Sequence, residues 1–105
     1  MNFKVIFADK ELEDVFNKLD NADTIKKALI RAIENIRQDP RAGRNVIKKL
    51  IPKKLIRKYG VDNLRIYNLP SAWRMLYTIT ASEIEIISVI LDWMNHKDYE
   101  KLFKF

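Results

Sequence analysis

Residues 64–91 read LRIYNLPSAWRMLYTITASEIEIISVIL. β-Branched and aromatic residues dominate three runs, LRIYNL (64–69), WRMLYTI (73–79) and IEIISVIL (84–91), which predicts three strands. Pro70-Ser71 and Ala81-Ser82 punctuate them as turns. Connections this short demand antiparallel neighbours, so the stretch reads as a meander.

Working towards the N-terminus, residues 41–59 have another character. Arg41, Arg44, Lys48, Lys49, Lys53, Lys54, Arg57 and Lys58 crowd this segment without an acidic residue among them. Pro52 suits the first position of a short helix and Gly60 its C-terminal stop, with Leu55, Ile56 and Tyr59 as the buried side. Upstream, Ile25, Ala28, Leu29, Ala32, Ile33 and Ile36 recur at helical spacing, with Lys26, Lys27, Arg31 and Glu34 expected outside. That helix opens near Asn21 or Asp23 and closes at Asp39-Pro40, because the residue before proline avoids the helical region. Asp9 is a good N-cap for an earlier helix carrying Leu12, Val15, Phe16 and Leu19 on one stripe. FKVIF (3–7) predicts a first strand. Beyond the meander, Asn95 caps a last helix, HKDYEKLF. The order is strand, two helices, a third short helix, three strands and a final helix: an α+β pattern.

The 105 residues suit one domain, 1–105, without repeat, low-complexity tract or linker. Cysteine is absent and His96 is the lone histidine, which excludes disulfides, thiolate metal sites, a cysteine nucleophile and a multi-histidine zinc site. There is no glycine-rich phosphate loop, serine elbow or nucleotide fingerprint, so no cofactor is expected. Glu83, Glu85 and Asp92 read as exposed charges rather than metal ligands. The opening MNFKVIFADKELED reaches acidic residues too soon for a signal peptide, and no apolar run is long enough to span a bilayer. The expectation is a cytoplasmic protein. A net charge of +6 aids solubility and equally suits a nucleic-acid partner, so its distribution matters more than its total.

The element order and several short motifs resemble the RelE/ParE superfamily of type II toxin–antitoxin toxins. WRMLYTI (73–79) is similar to that family's aromatic-Arg-hydrophobic-hydrophobic-Tyr strand, and His-Lys-Asp-Tyr in the tail to the C-terminal motif of RelE- and HigB-like toxins. The resemblance implies a RelE-like fold: two N-terminal helices packed on a mainly antiparallel four-stranded sheet, with a short C-terminal helix. It also implies neutralisation by a cognate antitoxin, expected to be small and acidic, that wraps the toxin. One branch cleaves mRNA in the ribosomal A site without a metal. The other inhibits DNA gyrase and lacks the nuclease residues, and a third possibility is an inactive antitoxin-binding homologue. Fold alone does not choose among them.

Metal-free RNA cleavage needs a cation for the charge developing at phosphorus and groups that exchange protons near neutral pH. Arg74 lies inside an apolar strand, where alternation puts Trp73, Met75, Tyr77 and Ile79 on one face and Arg74, Leu76 and Thr78 on the other. The resemblance gives Arg74 the scissile phosphate, and makes Arg65 the phosphate-holding residue of strand 64–69. Tyr67 shares the side of Arg65 and stands where a second basic residue is common; it either stacks on a base or packs. His96 and Tyr99, three residues apart, share a helix face; the resemblance favours His96 as the acid–base residue and Tyr99 as a stacking or acid–base partner, with which does which left open. Arg44, Lys48, Lys49, Lys53, Lys54 and Arg57 suit phosphate contacts, or else solubility and an acidic antitoxin. Trp93 reads as core or antitoxin contact. Without an exposed heptad seam, the free toxin is expected to be monomeric.

Overall fold

A computed structural model describes residues 2–104. The meander forms as expected: β3 (Arg65–Asn68), β4 (Arg74–Ala81) and β5 (Glu85–Met94) pair antiparallel in sequence order. The sheet, however, has five strands rather than four. β1 (Asn2–Phe7) joins the far side of β5 in parallel, and the two-residue β2 (Arg44–Asn45) lines the outer edge of β3. The order is β1-β5-β4-β3-β2, so the described sheet is mixed. The parallel pair is possible because two helices intervene between β1 and the rest of the sheet.

Those helices are α1 (Lys10–Lys18) and α2 (Thr24–Gln38). Asp9 caps the first by accepting the Leu12 N–H at 2.8 Å, and Asp23 caps the second through the Ile25 N–H at 2.8 Å. Each cap satisfies a backbone donor that the first helical turn leaves open. Lys26, expected outside, is buried instead. Its Nζ donates to the Leu19 carbonyl at 3.1 Å and lies 5.1 Å from the Phe16 ring centroid, so the cation closes the carbonyl end of α1. Val15 and Ile56, assigned to apolar stripes, are exposed, because neither helix is covered on that side.

α3 (Lys53–Tyr59) follows Pro52 and ends at Gly60, whose φ of 65° is the left-handed conformation a helix stop uses. α4 (His96–Phe103) is capped by Asn95, which accepts the Asp98 N–H at 2.9 Å. The sheet thus separates two apolar layers. Leu29, Ala32 and Ile36 of α2 pack against Met75, Tyr77 and Ile90. On the other face, Leu55 of α3 and Tyr99 of α4 pack with Ile66, Leu76, Leu91 and Met94.

One irregularity matters beyond the core. Leu76 pairs with Asp92 and Tyr77 with Ile90, leaving Leu91 as an extra residue in β5. Such a bulge re-aims the side chains that follow it. Trp93 then joins the α1–α2 layer, edge-on to Phe7 and Phe16 at 6.5 and 6.4 Å, while Met94 joins the other.

Candidate nucleic-acid interface

Strand register decides which cations meet. Paired residues across a ladder project to the same side. Asn68 pairs with Arg74 and Ile66 with Arg44, so Arg44, Asn68 and Arg74 all lie on the α3–α4 face. α4 brings Tyr99 over the same corner. The Arg44 guanidinium donates from Nη1 to Asn68 Oδ1 at 2.9 Å and from Nη2 to the Tyr99 hydroxyl at 3.1 Å. The Arg74 Cζ stands 5.2 Å from the Tyr99 ring centroid, within cation–π range. Arg74 Nη1 donates to the Trp73 carbonyl at 3.2 Å, whereas its buried Nε has no hydrogen-bond partner among the described residues. A buried donor left without a partner costs free energy.

His96 lies beside Tyr99, with ring centroids 6.4 Å apart and planes inclined by 28°. Its Nε2 meets the Glu100 carboxylate one helical turn on. Tyr99 also packs on Phe103 at 4.7 Å. Four of the residues singled out in the sequence therefore converge: Arg44, Arg74, His96 and Tyr99.

Two others do not. Arg65 and Tyr67 share a side, as alternation requires, but register places them with Tyr77 and Met75 on the α2 face. Arg65 donates to the carbonyls of Gly43 at 2.8 Å and Arg41 at 3.3 Å. Tyr67 packs in the α1–α2 layer, its hydroxyl accepting from Asn35 Nδ2 at 2.6 Å.

The lysines form a neighbouring surface. A groove of about 1050 Å³ runs between α3 and α4, with Lys49, Lys53, Lys54, Arg57, Lys58 and Lys101 around it and Asp92 and Asp98 as its acids. Lys48 lies on the short 3-10 turn Lys48–Leu50 outside that groove. Asp92 is placed there by the bulge. Its side chain reaches solvent, yet desolvation by the protein around the carboxyl raises its pKa above the ordinary value, against the Trp93 N–H and the Lys58 and Lys54 charges that lower it. Among the described residues, no group of three or more His, Cys, Asp or Glu could hold a metal, and no helix is long and apolar enough to cross a membrane.

Sequence reasoning missed Asn68, which orients Arg44, and the polar work of Tyr77. The Tyr77 hydroxyl is buried in the α2 layer, donating to the Pro40 carbonyl at 2.6 Å and accepting the Gly43 N–H at 2.9 Å. Burial raises its pKa, which keeps the hydroxyl proton in place. A tyrosine on the apolar face of WRMLYTI, where phenylalanine would fill the same space, was the available signal.

A small α+β protein with a basic sheet face crossed by a C-terminal helix fits the toxin class that the sequence resembles. The family model for the ParE toxin of type II toxin–antitoxin systems, parDE, matches residues 8–92, and the chain belongs to that family. It is therefore a toxin of the RelE/ParE superfamily, the kind that pairs with a cognate antitoxin. Comparison with curated proteins and with solved structures returned no match.

Proposed function

We propose that the toxin cleaves mRNA on the ribosome. The observation that carries this reading is the meeting of Arg44 and Arg74 around Tyr99 on one sheet face. In-line attack of a 2′-hydroxyl on the adjacent phosphorus breaks the bond to the 5′-oxygen, leaving a 2′,3′-cyclic phosphate and a 5′-hydroxyl. The attacking hydroxyl loses a proton and the leaving oxygen gains one. Two guanidinium groups suit the non-bridging oxygens, whose charge grows in the transition state. His96 and Tyr99 are the proton-exchanging pair, Glu100 orienting the imidazole and Arg44 the phenol. No step needs a metal or a cofactor. The lysines of the α3–α4 groove add affinity through counterion release.

A second reading is supported by the matched family itself, since ParE family members often inhibit DNA gyrase. Two assays run in parallel separate them. Purified toxin is added to a cell-free translation reaction whose mRNA 5′ ends are mapped, and to a gyrase supercoiling reaction. New 5′ ends with unimpaired supercoiling are expected. Intact mRNA with blocked supercoiling overturns the nuclease reading in favour of the second, and intact mRNA with both processes unaffected leaves an antitoxin-binding homologue.

A further inference from the structure

We infer that Tyr77 and Arg65 are positioning residues that clamp residues 40–43 and thereby aim the Arg44 guanidinium at Tyr99. The inference rests on the reading of Arg44 and Tyr99 as RNA-facing groups, but its geometry is independent of what they bind.

The strand that carries Arg44 is only two residues long, Arg44 pairing with Ile66 and Asn45 with Arg65. A ladder so short fixes a side chain poorly, since edge pairings of this length open readily. Four side-chain hydrogen bonds hold the chain just ahead of it. Tyr77 donates to Pro40 and accepts from Gly43, and Arg65 donates to the Gly43 and Arg41 carbonyls. The Tyr77 hydroxyl is buried, so its two bonds do not trade freely with water. Gly43 is the residue that permits the clamp. A Cβ there would lie 2.7 Å from Tyr77 Cε1, 2.8 Å from its hydroxyl and 2.9 Å from the Ile66 carbonyl, and that last contact is backbone that cannot swing away.

The clamp and its beneficiary lie on opposite faces of the sheet. Tyr77 and Arg65 project into the α2 side, whereas Arg44, one residue past Gly43, projects to the α4 side and reaches Asn68 and Tyr99. The chain turns round the sheet edge at Gly43, so whatever fixes that glycine sets the direction from which Arg44 departs. This also gives the tyrosine of WRMLYTI a task that phenylalanine could not perform.

Tyr77→Phe keeps the ring and removes both hydroxyl bonds, so it is the first variant to make. NMR on the folded variant reads the Gly43 amide, the Arg44 Nε–H and the Asn68 side-chain amide. The Gly43 amide should exchange about tenfold faster, as expected for loss of a hydrogen bond of ordinary strength. The Arg44 and Asn68 signals should move towards solvent-exposed values while β4 and β5 amides stay in place. In the mRNA assay, Tyr77→Phe should lower cleavage by about tenfold in the wild-type background and by less than about twofold in an Arg44→Ala background, because a residue acting through another loses its effect when that other is gone. Unmoved Arg44 and Asn68 signals, or an equal loss in both backgrounds, overturn the inference. If wild-type toxin cleaves nothing, the nuclease reading fails while the NMR comparison still decides the clamp. Should Tyr77→Phe not fold, Arg65→Gln loosens the same segment from its more exposed side and is scored on the same signals.

Discussion

Arg65 and Arg74 stand on adjacent strands of one sheet, three ladder rungs apart and so on opposite faces, and meet opposite fates. Arg65 faces α2 and donates to the carbonyls of residues 41 and 43. Arg74 faces α4, lies over an aromatic ring and keeps a buried Nε without a partner among the described residues. The α1–α2 face follows the first pattern elsewhere: Lys26 is buried there as a helix cap and Tyr67 is bonded to Asn35. The α3–α4 face follows the second, with most of the basic segment arranged round an open groove. Residue type therefore says little about role here. A cation whose donors are taken up by backbone is part of the scaffold, whereas those around the open groove can meet a ligand.

The largest expected effects fall at the two arginines. Arg74→Ala should reduce mRNA cleavage by about 100-fold, the scale for losing one donor to a developing oxyanion, with little change in melting temperature. Arg65→Ala should do the reverse in part. It should destabilise the fold by about 1–2 kcal/mol through two orphaned carbonyls, measured by urea denaturation, with any loss of cleavage following the loosened 40–43 segment. Equal cleavage losses at unchanged stability would erase the distinction.

Smaller effects are expected at Lys26, Ser88 and Asp92. Lys26→Met keeps the aliphatic packing but removes the ammonium from the Leu19 carbonyl, and should cost about 1 kcal/mol without affecting cleavage. Ser88 of β5 is the counterpart of Arg74 on the α2 side: its hydroxyl is buried and unpartnered among the described residues, with Val5 and Ile79 as ladder neighbours. Ser88→Ala should stabilise the protein by about 1 kcal/mol, since an unpaired hydroxyl between apolar strands is only a cost. Loss of stability would point to a hidden partner. The smallest effect is at Asp92. Its raised folded pKa means the folded state holds that proton more tightly, so stability falls as pH climbs from the ordinary carboxylate range through the raised value. Asp92→Asn should melt slightly above wild type at pH 7, and the gap should close in acid. A gap that widens in acid would reverse the sign.

Much of the fold was legible because it is local. The strand runs of 64–91 and the caps Asp9, Asp23 and Asn95 depend on residues a few positions apart, and each element formed where those residues predicted. What escaped were relations between distant segments. FKVIF carries no mark that its partner is β5 in parallel, and Arg44-Asn45 is too short to show as a strand. Lys26 looks like any outward lysine until the α1–α2 turn brings carbonyls to it. The candidate site shows the same boundary. Alternation correctly joined Arg65 to Tyr67, yet only the cross-strand pairing of Asn68 with Arg74 reveals that Arg65 lies on the other face. The convergence of Arg44 with Tyr99, 55 residues apart, likewise needs the third dimension.

On the proposed reading, RNA meets the α3–α4 face and not the α1–α2 face. The most direct measurement is a ¹⁵N NMR titration of the toxin with a short single-stranded RNA. Arg44, Asn68, Arg74, His96 and Tyr99 should shift together, with weaker changes along α3 and none on α1 or α2. Shifts centred on α1 and α2, or no shifts at an RNA excess where the toxin cleaves mRNA, would contradict it.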